Sequence, residues 1–176
     1  MDNTQIDLTK LIQASQTDHR IDVVGLAKKL GLNVYSIDMP DNQSGDIKKD
    51  PSTGQTYIEV NRNHPITRQR FTVAHEVAHY VKHPRVLEKR GQLDRNDTFK
   101  NAKEIKLENE ADKEAAAILM PEYLVDDYFK TRSWSKVTKF DTDMLSEIAE
   151  SFRVSRAMAI TRLRELGFPI SYMSFA

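Results

Sequence analysis

The chain has 176 residues, with 26 basic and 26 acidic side chains, no cysteine, and 39% hydrophobic and 30% charged residues. That length accommodates one domain, or a domain with a small appendage, and the composition excludes wholesale disorder, a disulfide framework and any cysteine-ligated zinc or iron–sulfur site, so a metal must take His and carboxylate ligands. The balanced charge speaks against a strongly basic nucleic-acid binder. The longest apolar run, Ala115 to Met120, is too short for a membrane span, and the polar Met1-Asp2-Asn3-Thr4 start lacks the character of a signal peptide, so the expectation is a soluble, cytoplasmic protein with no membrane partner.

Charge is distributed in blocks: residues 1–60, 61–107, 108–150 and 151–176 carry −3, +6, −6 and +3. Alternation of this kind favours contacts between segments or with a patterned partner. Residues 4–16 and 20–30 carry apolar side chains at helical spacing, Ile6, Leu8, Leu11 and Ile12 in the first and Ile21, Val24, Leu26, Ala27 and Leu30 in the second, which stops at Gly31. Asn33 to Ile37 and Thr56 to Val60 alternate as strands do. They are separated by the turn-rich stretches Pro40 to Gly45 and Asp50 to Gly54, and together they predict a small antiparallel sheet. From Ile66 to Lys82 a stripe of Val73, Ala74, Val77, Ala78 and Val81 predicts a central helix, introduced by Pro65 and ended by Pro84. Residues 85–103 are basic and aperiodic and read as a loop. A second long helix is expected from about Glu104 to Met120, with Pro121 ending it. An irregular stretch containing Trp134 follows, then short helices near 142–151 and 155–166, split by Phe152-Arg153-Val154 and closed by Gly167. There are no internal repeats.

The central helix contains His75-Glu76-Val77-Ala78-His79. Residues four apart on a helix lie one above the other, so both imidazoles can face one zinc ion, while Glu76, about 100° round, can reach a water there as general base. Chance assembly of this pattern from the same composition occurs in about one chain in a hundred. A catalytic zinc needs a third protein ligand and an open position. A third histidine six residues beyond the motif is absent, because Arg85 stands there, and His83 lies about 12 Å along the helix from His75, too far to share the ion. The second long helix supplies a carboxylate instead. With Ala115 as reference, Glu108, Ala111, Asp112, Ile118 and Leu119 fall on one face, Glu110 and Ala117 on the far side and Glu114 near the edge. An acid in the middle of a buried face needs a partner, and a metal is the obvious one, so Glu108 is the expected third ligand. Asp112, one turn on, is placed to hydrogen-bond the other nitrogen of a ligating histidine and fix its tautomer.

These residues carry a resemblance. Arg70-Phe71-Thr72-Val73-Ala74-His75-Glu76-Val77-Ala78-His79, the preceding Val60-Asn61, and Glu108-x-Glu110-Ala111-Asp112 through Ala115-Ala116-x-Ile118-Leu119-Met120-Pro121 resemble the ImmA/IrrE metallo-endopeptidase family. Ile21-Asp22-Val23, Leu30-Gly31-Leu32 and Ser44-Gly45 extend the likeness towards the front of the chain. The resemblance implies a zincin-like core, zinc held by His75, His79 and Glu108, Glu76 as catalytic base, and a role in cleaving helix-turn-helix repressors of mobile elements or stress responses. One departure is Glu114, where the family commonly has an aromatic residue.

Peptide hydrolysis then follows the usual division of labour, with the ion activating water and carbonyl and Glu76 moving the proton. Tyr80, His83, His64 and Tyr123 are oxyanion-stabiliser candidates by residue type, and spacing selects none of them. Substrate is expected along an edge strand such as Thr56 to Val60. At the C-terminus, residues 143–151, the Phe152-Arg153-Val154 turn and a helix capped by Ser155 make a helix-turn-helix-like pattern with Arg156, Arg162 and Arg164 on its second helix. The reading is an α+β protein: residues 1–140 form a zincin-like metallopeptidase domain that binds one divalent ion, and residues 141–176 form a small helical segment packed on it. Its expected partner is a protein substrate, a helix-turn-helix repressor or antitoxin. The alternatives are a DNA- or repressor-binding regulator, or a toxin-like protein, whose metal site is structural or sensory.

Overall fold

The computed structural model describes residues 7–84, 102–134 and 139–170, so most of the expected loop at 85–103 lies outside the described residues. Helix α1 (Leu8–Gln13) is capped by the Asp7 carboxylate, which accepts from Lys10 N–H. A two-residue hairpin follows, β1 (Gln16–Thr17) paired with β2 (Arg20–Ile21), turning at Asp18 with φ 51°. This hairpin shortens both helices expected here. Ile21 is fully buried but in a strand, and α2 (Val23–Lys29) begins only at Asp22, whose side chain accepts from Gly25 N–H at 2.9 Å. Helix α2 ends in the left-handed turn at Gly31 (φ 80°), with Leu32 N–H bonded back to Ala27 C=O, a conformation that favours glycine.

Strands β3 (Asn33–Ile37), β4 (Gly45–Lys49) and β5 (Thr56–Asn61) form a sheet of order β3-β5-β4. The sheet is mixed, not antiparallel as expected: β3 runs parallel to β5 and β4 antiparallel to it. The connection between β3 and β4 carries the chain past the central position to the far edge, which leaves that position for β5. It is held there by buried Asn61, whose side-chain amide donates to the carbonyls of Met39, Pro40 and Gln43 at 2.9–3.1 Å. Strand β5 is therefore paired on both sides, so Thr56 to Val60 is no free edge for a substrate; β3 and β4 are the outer strands.

Helix α3 (Ile66–Lys82) spans the predicted range and buries Val73, Ala74, Val77 and Ala78. Its principal neighbour is α4 (Ala102–Leu119), which buries Ala111, Ala115, Ala116, Ile118 and Leu119. Where an irregular stretch was expected, Pro121 instead opens α5 (Glu122–Thr131), whose Leu124, Val125, Tyr128 and Phe129 are all buried. Helices α6 (Thr142–Phe152) and α7 (Arg156–Glu165) close the described chain. They are joined at Arg153 in the left-handed region (φ 52°), with Val154 N–H returning to Ala149 C=O, and Ser155 caps α7 through Met158 N–H. Two arginines tie this end to the rest: Arg70 on α3 donates to the carbonyls of Ile21 and Arg153, and Arg162 on α7 donates to Met120 C=O just beyond α4. The architecture is α+β, and no described helix is long and apolar enough to cross a membrane.

Candidate metal centre

The four-residue spacing of His75 and His79 on α3 brings their Nε2 atoms to 3.0 Å of each other. Glu108, from the facing side of α4, places Oε2 3.5 Å from His75 Nε2 and Oε1 3.4 Å from His79 Nε2. Ligand atoms of the three residues all lie within 4.8 Å of one another. Donors 2.0–2.1 Å from a tetrahedral ion stand about 3.3 Å apart, so the observed separations and the His-His-carboxylate set fit a divalent cation such as zinc. Burial favours such a charge-compensated arrangement: His79 is fully buried and Glu108 is only 22% exposed.

Both Nδ1 atoms point away from this cluster. That of His75 meets Asp112 Oδ1 at 2.8 Å, the contact expected from the wheel of α4, and that of His79 meets His83 Nδ1 at 3.0 Å. Glu76 follows His75 on α3 and is buried, 4% exposed. The other two acids weighed as ligands stand apart from the cluster, since Glu114 pairs with Lys82 and Glu110 Oε2 lies 3.2 Å from His83 Nε2. The helical wheel set Glu110 on the far face of α4, yet its side chain reaches His83, the residue that caps the C-terminus of α3. The signal that would have found this pair was the continued i, i+4, i+8 stacking of His75, His79 and His83. Of the oxyanion candidates, His64 contacts Asp41 C=O and Tyr123 contacts Gln16, so both have structural partners. A largely apolar cleft between α3, α4 and α7, with Phe71, Asp112, Leu119 and Met158 in its walls, approaches the centre through Asp112.

In the metal-free protein, burial disfavours a charged His75, but the hydrogen bonds to Asp112 and Glu108 and the nearby charge of Glu76 outweigh it and raise the His75 pKa to about 9. The raised pKa stabilises the fold fully below the ordinary value of 6.5, and this contribution is lost as pH climbs through about 9. Its size is on the order of 3 kcal/mol. In the presence of chelator, the stability advantage of wild type over His75→Gln is therefore expected to shrink between pH 6.5 and 9, while zinc affinity of the wild type rises over the same interval as the competing proton leaves. Thermal melts across that range check the first and chelator competition the second; an advantage that grows with pH contradicts the assignment.

Residues 27–164 match the family model of the IrrE N-terminal-like domain, peptidase family M78. The chain belongs to this family. Membership bears out the resemblance carried by the motifs and indicates a metallopeptidase-type function, with the His75, His79 and Glu108 cluster as the candidate site of the M78 domain. No curated protein matches the sequence. Among solved structures, a Mycobacterium tuberculosis transcriptional regulator is similar in fold, with TM-score 0.60 at 15% sequence identity, covering 93% of this chain and 47% of that one. The chain thus spans about half the length of that regulator.

Proposed function

We propose that this M78 protein is a zinc-dependent endopeptidase that cuts a helix-turn-helix transcriptional repressor or antitoxin in the cytoplasm. The observation that carries the reading is the convergence, within 4.8 Å, of His75 Nε2 and His79 Nε2 from α3 with a Glu108 carboxylate from α4, beside the Glu76 that α3 buries. In this reading residues 1–140 are a zincin-like unit and residues 141–176 a helical segment docked on it, which the Arg70 and Arg162 contacts support.

His75, His79 and Glu108 would hold the ion, and Asp112 orients His75. When bound, zinc supplies Lewis acidity, which lowers the pKa of water and polarises the scissile carbonyl. Glu76, next to His75, takes the proton from the attacking water and returns it to the leaving amine, so that the acid and base duties fall on one carboxylate. A purely structural zinc fills its fourth position with protein and has no use for such a base.

Support for a regulator as substrate comes from the family resemblance of the motifs; the likeness to a transcriptional regulator at 15% identity concerns the fold alone. Direct DNA reading by the C-terminal helices is disfavoured by Arg162, whose side chain is only 13% exposed and is engaged with Met120 C=O and Glu165. The test is incubation of the zinc-loaded protein with the helix-turn-helix regulator encoded nearest to it, followed by mass spectrometry. Discrete fragments that vanish with chelator support the proposal. An intact regulator bound to the protein points instead to a binding role.

A further inference from the structure

The residue that caps the C-terminus of helix α3 stacks a third imidazole beyond the candidate ligands. His83 is buried, 7% exposed, with Nδ1 3.0 Å from His79 Nδ1 and Nε2 3.2 Å from Glu110 Oε2. Two imidazole nitrogens in such contact share one hydrogen, so one ring donates and the other accepts. The direction matters for His79. A neutral imidazole with its hydrogen on Nδ1 keeps a lone pair on Nε2, the atom that faces Glu108 and His75; with the hydrogen on Nε2 that lone pair is gone.

We propose that His83 and Glu110 are a positioning relay that holds His79 in its metal-binding tautomer, an inference that rests on the metal-site reading above. The carboxylate of Glu110 only accepts, so it calls for the His83 hydrogen on Nε2. His83 Nδ1 is then an acceptor and takes the hydrogen of His79 Nδ1, which leaves His79 Nε2 bare towards Glu108. The opposite arrangement aims a lone pair of His83 at the Glu110 carboxylate and blocks His79 Nε2 with a hydrogen. Asp112 does the same for His75 in a single step at 2.8 Å. Fully buried His79 has no acid at its Nδ1; there His83 stands between it and the Glu110 carboxylate and spans the gap. Partners of this kind orient the ligand and raise its basicity, and their loss weakens metal binding about 10–100-fold.

The test measures zinc affinity by competition with a chromophoric chelator, together with the visible spectrum of the cobalt-substituted protein and the melting temperature of the metal-free form. His83→Leu fills the space without an acceptor and is expected to weaken zinc binding about 10–100-fold and alter the cobalt spectrum. His83→Asn, whose side-chain oxygen stands near the place of Nδ1, is expected to stay within about threefold of wild type. Glu110→Ala, at a half-exposed helical position, is expected to lose about 3–10-fold at unchanged metal-free stability, and it decides the matter if His83→Leu fails to fold. Wild-type affinity in both His83→Leu and Glu110→Ala overturns the relay and leaves the metal site standing. Failure of the wild type to bind zinc at all overturns the site reading itself.

Discussion

Glu76→Gln lowers peptide hydrolysis about 10³- to 10⁴-fold while the protein still binds one zinc ion. The substitution keeps the shape and hydrogen-bonding reach of the side chain but removes the group that accepts a proton. Because Glu76 is 4% exposed and ionised groups are costly to bury, the variant is expected to fold as well as wild type. Loss of turnover with retained metal is the signature of a base, whereas loss of both would mark a ligand or a folding defect. The measurement is fragment yield from a regulator substrate alongside a zinc titration of the same preparations. Full activity in Glu76→Gln contradicts the assignment.

Glu108→Ala is expected to weaken zinc binding by at least about a hundredfold, because a protein-bound zinc draws roughly 3 kcal/mol from each ligand. The nearby acids provide the comparison. Glu114 is engaged with Lys82, so Glu114→Ala should leave zinc affinity unchanged, and Glu110→Ala should cost only the modest factor of a group acting through His83. Chelator competition on the three variants ranks them directly. A larger loss for Glu114→Ala than for Glu108→Ala would transfer the ligand role to the other acid and overturn the face assignment of α4.

Helix α3 was legible residue for residue, because a 3.6-residue stripe of Val73, Ala74, Val77 and Ala78 coincides with the face buried against the rest of the fold. The same wheel logic on α4 placed Glu108 and Asp112 against His75. It misjudged Glu110, since a long side chain on the flank of a helix can reach a neighbour that its Cα does not face. Strand β4 escaped notice because Gly45-Asp46-Ile47-Lys48-Lys49 offers a single buried apolar residue, Ile47, and pairing with β5 supplies the rest of its reason to be extended. Strand alternation does not encode partner direction, so the parallel β3–β5 pairing was also hidden; it depends on where the 38–44 connection crosses and on Asn61 holding it. Helix α5 was readable in principle: Leu124, Val125, Tyr128 and Phe129 make an i, i+1, i+4, i+5 stripe behind Pro121, and the acids between them obscured it. His83 was rightly judged too distant to share an ion with His75, but distance from the ion does not preclude acting through the ring between them.

The central claim is that one divalent ion sits between α3 and α4 on three protein ligands, His75, His79 and Glu108. It is tested most directly by anomalous diffraction at the zinc absorption edge from crystals of the zinc-loaded protein. The account predicts a single strong peak about 2.0–2.1 Å from the Nε2 atoms of His75 and His79 and about 2.0–2.2 Å from a Glu108 oxygen, with the fourth position open towards Glu76. No peak at these residues, or a peak closed off by a fourth protein ligand, would contradict it.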